Sequence, residues 1–289
     1  MKFLCSLAFS GPSELAPLAR HADATGWDML SLSDHLVFPE ELSTPYPYTP
    51  DGKPFWDSST SWPDCFVTIG ALASVTERIR FVTNVYVLPA RNPFVVAKAA
   101  GTAAVLSNDR VILGIGSGWM KDEFDLTGED FATRGSRTSE MIDVLRKLWR
   151  NEMVEHHGEH YDFGRLQMSP APTRPVPIYS GGSAERVLRR TARKCDGWLS
   201  PPSNYEDLKR SIGALQKLRR EYGREKEPFE YVVTCRDRSG VDGYRELEDL
   251  GATAVMTAPW VRHGGYVQPL DVKKRSLEEF ADQVIARMR

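Results

Sequence analysis

Short apolar runs and longer amphipathic stretches alternate along the chain. Phe3–Phe9 reads as a buried strand. Beyond it Leu15, Leu18, Ala19 and Ala22 share one helical face, with Pro17 in the first turn and Gly26 as the stop. Met29–Ser33 reads as a second strand and Asp64–Val75 as the next helix. Ile79–Leu88 is a third strand, after which Asn92 as N-cap and Pro93 at the first helical position launch a helix to Leu106. Val111–Ile115 is a fourth strand, and the long helix after it carries Met141, Leu145 and Leu148 on one stripe. Pro177–Ser180, Gly197–Ser200, Phe229–Thr234 and Ala254–Met256 are the remaining strands. Helices at Ala184–Thr191, Tyr205–Tyr222, Val241–Leu250 and Ser276–Arg289 follow them.

Eight such alternations over 289 residues predict an α/β fold, a (β/α)8 TIM barrel formed as a single domain over residues 1–289. An open doubly wound sheet is the alternative. Two segments interrupt the rhythm. Leu36–Pro63, inserted after strand 2, holds six prolines and the aromatics Phe38, Tyr46, Tyr48, Phe55, Trp56 and Trp62, the composition of an ordered wall over a pocket. Glu152–Pro177, before strand 5, alternates around Gly158 as a hairpin does.

The apolar fraction of 41% and charged fraction of 26% are those of a globular protein with a full core. A net charge of −2 argues against a nucleic-acid surface driven by bulk charge. No apolar run approaches the roughly 20 residues of a membrane helix. Cys5, Cys65, Cys195 and Cys235 are widely spaced, which fits reduced thiols in a cytoplasmic protein.

Candidate chemistry gathers where strands end. Ser33-Asp34-His35 closes strand 2; an imidazole there can orient a cofactor or shuttle a proton, and a passive turn is the alternative. Thr83-Asn84 is a polar step within an otherwise apolar strand, and needs either a neighbour or a ligand to satisfy it. Gly116 and Gly118 allow close approach of backbone to a ligand or simply a tight turn; the run is not a dinucleotide fingerprint. Glu123 and Arg134 are expected to pair. Gly181-Gly182-Ser183, with Ser183 as N-cap, opens a helix whose free amides suit a phosphate, and Arg186 can add charge or face solvent. His156, His157 and His160 read as solvated residues of the hairpin, and no metal site is expected.

The stretches GWDMLSLSDHLVFP, RIRFVTNVYVLPARNPFVVAKAAGTAAVLSNDRVILGIGSGWMKDEF, RGSRTSEMIDVLRKLW and SGGSAERVLRRTARKCDGWL together resemble the bacterial luciferase-like superfamily of flavin and deazaflavin oxidoreductases. Within it, SDHLVFP and GSGWMKDEF look most like the group that uses coenzyme F420, an 8-hydroxy-5-deazaflavin. The resemblance implies Asp34 and His35 beside the ring and its hydride-bearing edge. It places Thr83, Asn84 and Val85 in a bulge that supports the ring, with a cis peptide at Asn84–Val85. Gly116, Ser117, Gly118 and Trp119 would form the flanking loop, and Gly181, Gly182 and Ser183 the phosphate cradle. It further implies a homodimer and hydride transfer between F420 and a small organic substrate. An FMN-dependent monooxygenase and a non-catalytic deazaflavin-binding barrel are the rival readings. Members that dehydrogenate glucose 6-phosphate carry a carboxylate where this chain has Trp119, which argues against that substrate.

Overall fold

The computed structural model describes Met1–Arg289. Its first half runs β1 (Lys2–Ser6), α1 (Pro12–Ala24), β2 (Met29–Leu32), α2 (Cys65–Ala73), β3 (Arg80–Thr83), β4 (Tyr86–Val87), α3 (Pro93–Leu106), β5 (Val111–Gly116), α4 (Lys121–Thr127) and α5 (Arg134–Leu148). The second half runs β6 (Val154–His157), β7 (Asp162–Leu166), β8 (Ile178–Gly181), α6 (Glu185–Lys194), β9 (Gly197–Leu199), α7 (Tyr205–Glu221), β10 (Glu230–Val233), α8 (Gly240–Asp249), β11 (Ala254–Thr257) and α9 (Leu270–Phe280). The parallel order β3-β2-β1-β11-β10-β9-β8-β5 is closed by pairing of β3 with β5, so the sheet is a barrel and not the open alternative.

Alternating strand residues divide the core into two layers. Leu4, Met29, Val82, Ile112, Tyr179, Leu199, Val232 and Ala254, one from each barrel strand, fill the interior. Their neighbours, Phe3, Leu30, Phe81 and Leu113 among them, pack outward against the helices. Gly197 is required by this layer, since a Cβ there would lie 2.5 Å from the ring of Tyr179.

Local side-chain chemistry sets the starts of several helices. Asp64 accepts from the Val67 amide at 2.8 Å, and Asn92 accepts from the Phe94 amide at 2.9 Å. At α1 the start is earlier than the pattern indicates. The Glu14 carboxylate accepts the Gly11 amide at 2.8 Å, the helix begins at Pro12, and Pro17 lies within the helix. The carbonyl that Pro17 leaves without a donor is that of Ser13, an exposed residue that water can serve. The last helix also starts early, at Leu270. Its Asp271–Arg275 stretch has no apolar stripe, but Lys273 is buried against Glu14 at 2.7 Å.

The third barrel strand is not continuous. It breaks at Asn84–Val85, whose peptide bond is cis, resumes as β4 and ends in a 3-10 turn, Leu88–Ala90. The antiparallel hairpin β6–β7 stands outside the barrel. All four cysteines are free, and no helix is long and apolar enough to cross a membrane.

Candidate active site

Because the barrel strands are parallel, their C-terminal ends share one rim. That rim brings together Ser33-Asp34-His35 after β2, the break after β3, Gly116–Trp119 at the end of β5 and Gly181–Ser183 at the end of β8.

Asp34 faces inward to protein partners. Its carboxylate accepts the Val87 amide at 2.9 Å and pairs with Arg91 at 2.8 Å. Burial pushes the carboxyl up, against the pull of Arg91 and the Val87 amide. Asp34 therefore ties the end of β2 to the resumed strand β4.

His35 is different. Its Nδ1 lies 3.1 Å from Glu123 Oε1, which also accepts the Leu36 amide at 2.7 Å. Glu123 is almost fully buried, so its position is set by α4 and the loop it holds. This corrects the expected pairing of Glu123 with Arg134, whose guanidinium instead lies over the Phe131 ring at 3.7 Å. A carboxylate on Nδ1 fixes Nδ1–H, which leaves Nε2, free of protein partners, as the proton-accepting atom.

The polar step in strand three is largely satisfied within the barrel. Thr83 is fully buried and donates to the Gly114 carbonyl at 2.7 Å, so it does not face a ligand. Asn84 donates through its side chain to Met256 Sδ at 3.2 Å, and its carbonyl accepts from Ser33 at 3.2 Å. Val85 fills the space above two glycines: a Cβ on Gly116 would lie 2.6 Å, and one on Gly181 2.7 Å, from its methyl groups. Gly118, at φ +80°, similarly makes room for Val87 and Phe124. These glycines serve the bulge before they serve any ligand.

On the far side of Ser117 the rim is cationic. Arg190 donates to Ser117 Oγ at 3.2 Å while its Nε is buried without an acceptor, and Thr138 Oγ1, which donates to the Arg134 carbonyl at 2.6 Å, lies 3.2 Å from the same oxygen. Burial, and then the charge of Arg186, push the guanidiniums of both Arg134 and Arg190 down. None of Arg134, Arg186 and Arg190 has an acidic partner. The N-cap of the adjoining α6 is Ala184 and not Ser183, and the cap makes no side-chain bond. Gly182, at φ +113°, turns the chain so that the amides from Ser183 to Arg186 find no protein acceptor. Spacing alone did not single out Arg190 or Thr138, since each sits in a helix that reads as ordinary amphipathic sequence.

Around His35 the insertion supplies rings. The imidazole centroid is 5.5 Å from Trp56, 5.4 Å from Trp62 and 6.1 Å from Trp119. Tyr46 bridges Trp56 and Trp119 at 4.9 and 5.1 Å.

The three hairpin histidines separate. His157 is exposed beside Asp162, and His160 meets Ser136. His156, expected to be solvated, is buried with Nε2 3.1 Å from Glu140, because the hairpin folds down onto α5.

A family model described as luciferase-like monooxygenase matches residues 6–236. The chain belongs to that family. This luciferase-like protein is 40% identical, over the full length of both chains, to the uncharacterized protein Rv0940c of Mycobacterium tuberculosis. It is 28% identical to a protein of Nakamurella multipartita named F420-dependent glucose-6-phosphate dehydrogenase, over 96% of this chain and 78% of that one. Its fold is that of the F420-dependent tetrahydromethanopterin reductase of Methanopyrus kandleri, with a TM-score of 0.77 at 16% identity over 100% and 99% of the two chains.

Proposed function

We propose that this protein is an F420-dependent oxidoreductase that exchanges a hydride between the deazaflavin and a small organic substrate. The observation that carries the reading is a divided rim: arginines without acidic partners and open amides on one side, aromatic rings packed around His35 on the other. The donor set fits the cofactor. Arg134, Arg186 and Arg190 with the amides at Ser183–Arg186 offer an anion such as a phosphate charge-assisted bonds, and Arg190 Nε is a buried donor still lacking an acceptor. Relatives named for F420 favour the deazaflavin over FMN.

When bound, the deazaflavin supplies a ring carbon that gives or takes a hydride. The chain supplies the rest. Gly181-Gly182-Ser183 and the arginines hold the phosphate, and Ser117 orients Arg190 beside them. Gly118 and Trp119 complete the loop along one edge, and the Asn84–Val85 bulge, tied to Leu32 through the Asn84 amide at 2.7 Å, backs the ring. Asp34 keeps that bulge in place through Val87, while His35 Nε2 takes or returns the substrate proton. The reading includes the expected homodimer. Val67 on α2 and Val95 on α3, helices that pack side by side, are 75% and 65% exposed, and a second copy would cover such apolar side chains.

Titration of the purified protein with F420 and, separately, with FMN tests the assignment. F420 is expected to bind more tightly. Tighter binding of FMN together with oxygen-dependent oxidation of a substrate reverses it in favour of a monooxygenase.

A further inference from the structure

The insertion between β2 and α2 is hydrogen-bonded to the barrel at its two ends and not between them. At the first end Glu123 accepts the Leu36 amide at 2.7 Å, Asp122 accepts the Ser43 hydroxyl at 3.0 Å, and Thr44 Oγ1 accepts the Lys121 amide at 3.3 Å. At the second, Asp64 caps α2 through the Val67 amide. From Tyr46 to Trp62 every hydrogen bond stays inside the segment. The Tyr46 amide donates to the Gly52 carbonyl at 2.7 Å, and the Thr49 hydroxyl donates to the Lys53 carbonyl at 2.7 Å. Gly52, at φ +69°, lets this turn close on Pro45, from whose Cβ an added Cβ would lie 2.9 Å. The stretch is thus tied to itself and hinged at both ends. A segment with no backbone bond to its surroundings is among the first parts of a fold to open.

Rings hold it down. Phe9, in the loop after β1, lies 5.5 Å from Phe55, 5.0 Å from Trp62 and 4.9 Å from Tyr266 of the loop between β11 and α9. Tyr266 in turn stacks on Phe55 at 6.2 Å, so the two loops meet across the rim. Phe9 is held at φ +63°, which is rare for a bulky side chain and marks a position the surroundings enforce. The Ser10 amide bonds back to the Leu7 carbonyl at 3.1 Å, and the buried Lys273 reaches Ser10 Oγ at 3.3 Å, which makes this side of the contact rigid. Beneath the segment, Trp62 and Ser61 leave a cavity of about 20 Å³ against Leu7, Phe9, Leu32 and Ser33, room for about one water. The His35 side chain is only 12% exposed. A molecule that is to meet His35 Nε2 needs these rings to move.

We propose that Tyr46–Trp62 is a lid over His35, hinged at Thr44-Pro45 and Pro63-Asp64 and clasped shut by Phe55 against Phe9 and Tyr266. Opening admits the substrate, and closing removes water from the imidazole and its Glu123 partner. The clasp suits a reversible closure because it is made of ring contacts, each worth little by itself, at side chains that are partly exposed already: Phe55 is 59% and Tyr266 38% exposed. What the lid admits rests on the reading of the rim as a hydride-transfer site; the movement itself does not.

Diethyl pyrocarbonate, which modifies a free imidazole nitrogen, reports the opening without any cofactor. Peptide mass spectrometry follows His35, with the exposed His157 as the reference in the same chain. Phe55→Ala, Tyr266→Ala and Phe9→Gly, the last of which also relieves the backbone, should each speed modification of His35 about threefold to tenfold, the worth of an aromatic contact. His157 should react at one rate throughout. Phe55→Cys with Tyr266→Cys, joined by a short bifunctional methanethiosulfonate in a Cys235→Ser chain that removes the one cysteine not buried, should slow His35 below the wild-type rate, and a reductant should restore it. Equal rates at His35 in wild type, the clasp variants and the cross-linked chain overturn the proposal. F420 titration of the same proteins separates the two readings. If F420 does not bind while His35 still follows the clasp, the lid stands and the cofactor assignment falls; if F420 binds and His35 ignores the clasp, the lid falls alone.

Discussion

Glu123 Oε1 stands 3.1 Å from His35 Nδ1, and the same oxygen takes the Leu36 amide at 2.7 Å. One buried carboxylate thus sets both the ring and the backbone that carries it. Glu123→Gln should leave the fold and F420 affinity intact and mix the imidazole tautomers, which 15N NMR of His35 reads directly. Retention of a single Nδ1–H form in the variant would show that Glu123 does not orient the ring.

His35→Ala should lower turnover by about a hundredfold or more, the range of general acid–base assistance, with little change in melting temperature. His35 is a rim residue, and its one protein hydrogen bond is the Glu123 contact. Full turnover in a variant that still binds cofactor would remove Nε2 from the proton path.

Val85 occupies the space a side chain at Gly116 would need, at 2.6 Å from the ideal Cβ. Gly116→Ala should therefore destabilise the protein by about 1–3 kcal/mol, the usual cost of overpacking. Val85→Ala in the same chain should recover part of that loss. Urea denaturation of both singles and the double gives the coupling, and strict additivity would count against the contact.

Arg186 is exposed beside the open amides of α6, and Arg190 is largely buried with one donor unmet. Arg186→Gln should weaken F420 binding about threefold to tenfold at low salt and less at high salt, because an exposed charge is screened. Arg190→Gln should weaken it at both. Equal affinity for wild type and both variants would place the phosphate elsewhere.

Burial works to raise the Glu140 carboxyl, but the Tyr161 and His160 amides and the His156 ring outweigh it and hold it below its usual range. A carboxyl depressed in the folded state contributes stability above its unfolded pKa of about 4.3. That contribution is lost as pH falls through the lower folded value. Protection of the hairpin β6–β7 amides, relative to their intrinsic exchange rates, should fall below about pH 4, and Glu140→Gln should lower it already at neutral pH. Exchange that is equally slow in the variant would show that the hairpin is held by its apolar contacts alone.

Barrel class, strand order and most helix starts were legible in the sequence because they depend on neighbours. Alternation of period two makes Leu4 and Val82 interior and Phe3 and Phe81 exterior in any closed parallel sheet, and Asn92 and Asp64 cap amides two or three residues away. The pattern failed where a distant partner decides. Lys273 extends the last helix toward Leu270 by reaching Glu14, and His156 leaves solvent for Glu140. Thr83 and Asn84, alike as polar interruptions of a strand, separate only when β5 presents the Gly114 carbonyl to one and β11 presents Met256 to the other. His35 and Glu123 are 88 residues apart, and closure of the barrel brings them together. Periodicity belongs to the backbone and is written locally; a side chain's partner depends on which strands become neighbours, and only the closed tertiary structure decides that.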